Sequence, residues 1–188
     1  MTTQSQNSQN QDSSGNPFFR QLFSTYDESI PFEQIKTEHF LPALIHGIEL
    51  ARKNIEAVKT QTAEPNFENT ILALECASEA VEIVQTVYFN LFSAEASEAL
   101  QALAKDISPL AASFVSEITL DPVLFQKIKS IYDRRENLNL NSEQLRLIDK
   151  IYKDFCRNGA LLSASEKEKV REIDQQIAVL GPQFSENV

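Results

Sequence analysis

The sequence predicts an all-α protein, an irregular antiparallel helical bundle of about six main helices. Three observations carry that expectation. Only 4 of the 188 residues are glycine, too few for the tight turns of a multi-stranded sheet. Hydrophobic residues make up 42% of the chain, enough for a core and too many for a disordered protein. Apolar side chains recur at three- and four-residue steps from residue 40 onward, which is the period of helices and not of strands. The length suits one domain or part of a larger one.

Residues 1–16 read as a disordered polar tail of Ser, Gln and Asn with nothing to bury, and residues 17–188 as the helical region. Phe18, Phe19, Leu22 and Phe23 suggest a small helix docked on the main body. Pro31 keeps Ile30 out of the α region. The first long helix is expected to start on Thr37 as N-cap, with Phe40, Leu44, Ile48, Ala51, Ile55 and Val58 on one face. Pro42 falls in its first turns, where a missing N–H does least harm. Pro65-Asn66 breaks the chain. A second helix then carries Phe67, Ile71, Leu74, Val81, Val84, Tyr88 and Leu91.

The third helix has Leu100, Leu103, Ile107, Leu110 and Phe114, with Pro109 predicting a kink. Asp121-Pro122 is an N-cap followed by proline at the first helical position, opening a short fourth helix with Leu124, Ile128 and Ile131. Ser142 is expected to start the fifth, lined by Leu145, Ile148, Tyr152 and Phe155 and stopped by Asn158-Gly159. Ser163 and Glu166 form a capping-box pattern for the sixth. Its stripe is Val170, Ile173, Ile177, Leu180 and Phe184, with Pro182 expected to bend or end it. That stripe runs to the last residues of the sequence, which implies a further element to cover it.

Charge narrows the function classes. With 17 basic and 27 acidic residues the net charge is −10, and such a surface repels phosphate backbones and anionic lipid. No nucleic acid and no membrane partner is expected. No apolar stretch approaches the ~20 residues of a membrane helix. Residues 2–16 contain neither a basic residue nor an apolar run, so no secretory or transit signal is expected and the cytoplasm is the predicted location. Cys76 and Cys156 lie inside helical patterns and read as buried, reduced thiols.

Chemistry is sparse. His39 and His46 are two helical turns apart and could share a face, but two ligands do not close a zinc site. The His-Glu-x-x-His pattern is absent, as is a Glu three residues before either histidine. A metal-binding bundle built on His39 and His46 would need further carboxylates from facing helices. Glu166, Glu168 and Glu172, interleaved with Lys167, Lys169 and Arg171, read as a solvated face of i, i+4 pairs. Cys76 has no visible base to make it a nucleophile. Four scattered glycines cannot build a phosphate loop. No catalytic, cofactor-binding or metal-binding residue is therefore assigned.

A set of segments nevertheless stands out in order. They are Pro31-Phe32 with residues 35–43 (IKTEHFLPA), residues 65–71 (PNFENTI) with Ala73-Leu74-Glu75, Phe89-Asn90-Leu91, Asp121-Pro122 with Leu124-Phe125, Gly159-Ala160, and Leu180 with residues 184–188 (FSENV). Over residues 16–188 this series resembles the amino-terminal part of the thimet oligopeptidase family of zinc metallopeptidases, in the branch of oligopeptidase A and peptidyl-dipeptidase Dcp. The resemblance implies a cytoplasmic parent enzyme that cleaves short peptides in a deep channel. Its zinc would be held by a His-Glu-x-x-His helix and a later Glu in a catalytic half that this sequence lacks. The expected partners are that catalytic region and, in the full-length form, short peptides. The chain alone is expected to be inactive and to hold no zinc or other cofactor, its role being a wall and cover of the channel. The alternative is a stand-alone helical interaction protein, an adaptor derived from the same scaffold.

Overall fold

The computed structural model describes residues 15–19, 29–95 and 97–186. Regular structure among them is helical, without a strand, so the fold is all-α as predicted. The elements are α1 (Thr37–Thr60), a π-helical turn (Phe67–Leu72), α2 (Ala73–Ala77), α3 (Glu79–Glu95), α4 (Glu98–Thr119), α5 (Pro122–Arg134), α6 (Ser142–Arg157) and α7 (Ala164–Glu186). Residues 1–14 of the expected tail, with Leu22 and Phe23, lie outside the described residues. Pro17–Phe19 form a single 3-10 turn, and Phe18 meets Phe40 with ring centroids 5.5 Å apart.

α1 is the axis of the molecule. Phe40, Leu44, Ile48, Ala51, Ile55 and Val58 are all buried along it, as their spacing predicts. Side-chain pairs give the direction of each neighbour. Phe40 meets Tyr88 edge-on at 5.4 Å, Gly47 lies against Val81, and Asn54 donates to the Ala77 carbonyl at 3.3 Å. Partner numbers fall as α1's rise, so α3 runs antiparallel to α1. A Cβ on Gly47 would sit 3.3 Å from the Val81 nitrogen, which is why the smallest residue occupies that crossing. On the other flank Arg52 pairs with Glu117 at 2.7 Å and Lys59 with Asp121 at 2.9 Å. These numbers rise together, so α4 runs parallel to α1.

α7 returns along α4. Lys167 Nζ donates to the Leu120 carbonyl at 3.1 Å and Ser116 Oγ to Asp174 Oδ2 at 2.8 Å, an antiparallel register. α5 and α6 make a separate antiparallel hairpin. Phe125 stacks on Tyr152 at 5.7 Å and on Phe155 at 6.5 Å, and Tyr132 stacks on Tyr152 at 3.8 Å. Arg135 lies 3.9 Å above the Tyr132 ring, a cation–π contact. Lys127 ties the hairpin to the end of α1 by donating to the Gln61 carbonyl at 2.9 Å. Arg134 adds contacts to Glu64 and the Pro65 carbonyl.

Helix ends follow the local chemistry closely. Asp121 Oδ1 accepts from Val123 N at 2.7 Å and Leu124 N at 2.9 Å, with Pro122 at the first helical position. Ser163 N donates to Glu166 Oε2 at 2.9 Å, the expected box. Gly159 has φ of 94°. Ala160 N donates to Phe155 O and Gly159 N to Cys156 O, the paired bonds of a Schellman stop. One cap is displaced by one residue: Thr37 is the first helical residue of α1 and Lys36 its cap, as Lys36 N donates to His39 Nδ1 at 3.1 Å. α6 starts at Ser142 as expected, with Asn141 before it exchanging bonds with Gln144.

Two expectations change. The second helix is broken into the π turn, α2 and α3, with Ser78 outside helical geometry (φ −106°, ψ 9°). Asn66 and Asn69 cap each other, and Gln61 Nε2 donates to the Asn69 carbonyl at 3.2 Å, engaging an acceptor of the helix ladder. Phe67, Ile71, Leu74, Ala77, Val81, Val84 and Tyr88 stay buried through the break. Cys76 is exposed at the rim between α1 and α2, and Cys156 is half-buried in α6. α4 continues past Pro109, and α7 past Pro182 to Glu186.

α7 departs furthest from an ordinary amphipathic helix. Lys167 is its one buried side chain among the described residues, whereas Ile173 (53% exposed), Ile177 (61%), Leu180 (59%) and Phe184 (73%) face outward. The stripe that its spacing defines is uncovered. No single described helix is long and apolar enough to cross a membrane.

Candidate functional site

The two histidines have structural work. His39, half-buried in the first turn of α1, accepts from Lys36 N through Nδ1, and its carbonyl accepts from Asn16 Nδ2 at 2.9 Å. His46 is exposed and stands edge-on to Phe19 with centroids 5.0 Å apart. Among the described residues no group of three or more His, Cys, Asp or Glu could hold a metal ion. The metal-binding bundle built on His39 and His46 has no further ligands there.

Several titratable groups with shifted pKa values are likewise held by structural bonds, some between helices and some within one. Glu117 accepts from Arg52 Nε at 3.0 Å and from Nη2 at 2.7 Å, and this bond pushes the guanidinium up. The bond to Asp121 raises Lys59. The bond to Cys156, with burial, raises Tyr152. Burial pushes the Tyr88 phenol up to about 12, while its hydroxyl donates to the Leu100 carbonyl at 2.8 Å. These four shifts strengthen the protonated form and Glu166 is held below its ordinary range by the Ser163 hydroxyl, so none of them raises a carboxylate toward neutral pH.

The ordered segments singled out in the sequence turn out to be joints of the fold. Phe40 is core, Asn66 and Asn69 close the π turn, Asp121 caps α5, and Gly159 stops α6. Phe32 and Phe89 are exposed, at 53% and 41%. An open groove of about 400 Å³ lies between α1 and the π turn–α2 segment, with Ala57, Ala73, Cys76 and Ala77 among its lining and Asn54 and Gln61 beside them. Both amides donate to main-chain carbonyls, so the groove shows no convergent catalytic set. Sequence reasoning missed the capping role of His39, for which the Lys36-Thr37-Glu38-His39 spacing gives no usual signal.

The fold and this inventory define a helical region held by caps, ion pairs and an apolar core. No family model matches the chain. It is 34% identical over 174 residues to the dipeptidyl carboxypeptidase of Escherichia coli, a match covering 92% of this chain and 25% of that protein. It is 25% identical over 158 residues to oligopeptidase A of the same organism, covering 84% of this chain and 23% of that protein. A probable cytosolic oligopeptidase A of Arabidopsis thaliana is 22% identical over 161 residues. The chain is thus a homologue of the dipeptidyl carboxypeptidases and oligopeptidases A of the thimet oligopeptidase family. It spans about a quarter of the length of the curated relatives it matches.

Proposed function

We propose that this chain serves as the non-catalytic, amino-terminal helical region of a zinc-dependent cytoplasmic peptidase. It forms one wall and part of the cover of the channel through which short peptides reach the metal. The observation that carries this reading is the match to dipeptidyl carboxypeptidase over 92% of the chain, by a sequence with no His-Glu-x-x-His motif. Zinc and the polarised water belong to the catalytic region, which is also this chain's principal partner. A helical wall contributes by size: it admits an extended peptide and excludes a folded protein. Helices tied by bonds such as Arg52–Glu117 and Lys59–Asp121 suit a rigid wall.

The test is to replace the matching stretch of the E. coli dipeptidyl carboxypeptidase with this chain. The hybrid should retain zinc, cleave short peptides in a chelator-sensitive way and spare folded proteins, while the chain alone cleaves nothing. A folded, zinc-loaded hybrid that leaves peptides intact would overturn the reading. A stand-alone adaptor role is favoured by one observation, the self-contained core around α1. It predicts that the chain by itself captures a protein partner and remains a monodisperse monomer.

A further inference from the structure

We propose that the outward face of the second half of α7 is a dry seam for the catalytic region of the same enzyme. An apolar surface of that region would pack along Ile173, Ile177, Leu180 and Phe184. The proposal rests on the peptidase reading above and names the surface through which the two regions meet.

Charge is segregated sharply within α7. Seven of residues 164–174 are charged, and none of residues 175–184 is. The charged half is fastened to α4 through Lys167 and Asp174. The uncharged half presents Ile177, Val179, Leu180 and Phe184 to the outside, at 61%, 44%, 59% and 73% exposure. A helix whose outer side meets only water normally carries charges there. Loss of charge together with gain of large apolar side chains is the composition of an interface core. The 4-3-4 spacing from Ile173 to Phe184 is that of a helix-packing stripe, and eleven residues at 1.5 Å each give it a length of roughly 16 Å. Rolling α7 to hide the stripe would break the Lys167–Leu120 and Asp174–Ser116 bonds.

Tethering decides the occupant. The relatives are about four times as long as this chain, so in such a protein a large region is joined covalently to the helical one. A surface held on a short tether meets its target at effective concentrations on the order of millimolar. A second copy, or a free partner at micromolar levels, competes at a disadvantage of roughly a thousandfold.

Hydroxyl-radical footprinting read by mass spectrometry tests this on the full-length hybrid enzyme and on this chain alone at low micromolar concentration. The side chains of Ile177, Leu180 and Phe184 should react roughly fivefold more slowly in the hybrid, as befits side chains moved into a packed seam. In the chain alone their reactivity should be high and independent of dilution. Unchanged reactivity in the hybrid overturns the proposal. Equal protection in the chain alone, with the mass of a dimer, overturns it in favour of a second copy. As a second readout, Ile177→Asp should lower the unfolding temperature of the hybrid and leave that of the chain alone unchanged. Equal effects in both would also overturn it. The outcome is separable from the peptidase reading: a hybrid that cleaves peptides with an unprotected stripe removes only the seam. A zinc-loaded hybrid with a protected stripe and no cleavage removes only the peptidase role.

Discussion

Replacing Tyr88 by Phe isolates one buried hydroxyl whose effect on stability changes sign with pH. In the folded protein the side chain is fully buried between Phe40 and Phe92 and donates to the Leu100 carbonyl at 2.8 Å. A buried hydrogen bond of this kind contributes about 1 kcal/mol net. The Leu100 carbonyl lies in the first turn of α4, where the helix ladder also supplies a donor, so no larger penalty is expected. Tyr88→Phe should therefore be less stable than wild type by about 1 kcal/mol at pH 7.

Ionisation reverses the comparison. The phenol titrates near 10 in the unfolded chain and is pushed up to about 12 by burial in the fold. Below pH 10 both states keep the proton. Between 10 and 12 the unfolded state loses it first, so wild-type stability falls as pH rises. Two pH units at 1.36 kcal/mol each amount to about 2.7 kcal/mol, a loss the phenylalanine variant does not suffer. The two stability curves should cross near pH ~10.7. Urea unfolding followed by circular dichroism at fixed pH values from 7 to 11.5 gives the difference directly. Other tyrosines and lysines cancel because both proteins carry them. A difference that stays constant from pH 9 to 11.5 would refute the burial of this hydroxyl.

Asp121→Ala removes the cap of α5 and the 2.9 Å ion pair with Lys59, and should cost about 1–2 kcal/mol by denaturant unfolding; an unchanged midpoint would contradict the capping role. The Ser163 hydroxyl, and second its backbone N–H, hold the Glu166 carboxyl below its ordinary range. Ser163→Ala should raise that pKa part of the way back in an NMR titration, and an unmoved value would rule out the box. Exposed Cys76 should be alkylated faster than half-buried Cys156, with mass spectrometry reporting the order.

What the sequence revealed about the fold depended on how local each signal was. The caps at Asp121 and Ser163 and the glycine stop at 159 were readable because donor and acceptor lie within a few residues. The stripe of α1 was readable because all its buried positions share one uninterrupted helix. The break at Ser78 was not, since it accompanies a bond from Asn54 to the Ala77 carbonyl, 23 residues away in sequence. Periodicity grouped Cys76 with a helix but could not say that the space between α1 and α2 would stay open beside it. It likewise placed Ile173, Ile177, Leu180 and Phe184 on one face of α7. That this face turns outward follows from Lys167 and Asp174 engaging α4, contacts 47 and 58 residues away in sequence. Kinship with peptidases was legible only through the ordered series of segments, in which residues such as Asn66, Asp121 and Gly159 hold the scaffold together.

The first experiment to perform is an immunoblot of native lysate from the source cells, with an antibody raised against this chain. A helical region of a peptidase predicts a band about four times heavier than 21.2 kDa, in line with the share of the relatives that the chain spans. A sole band at 21.2 kDa would contradict that role and turn attention to a binding partner for the exposed face of α7.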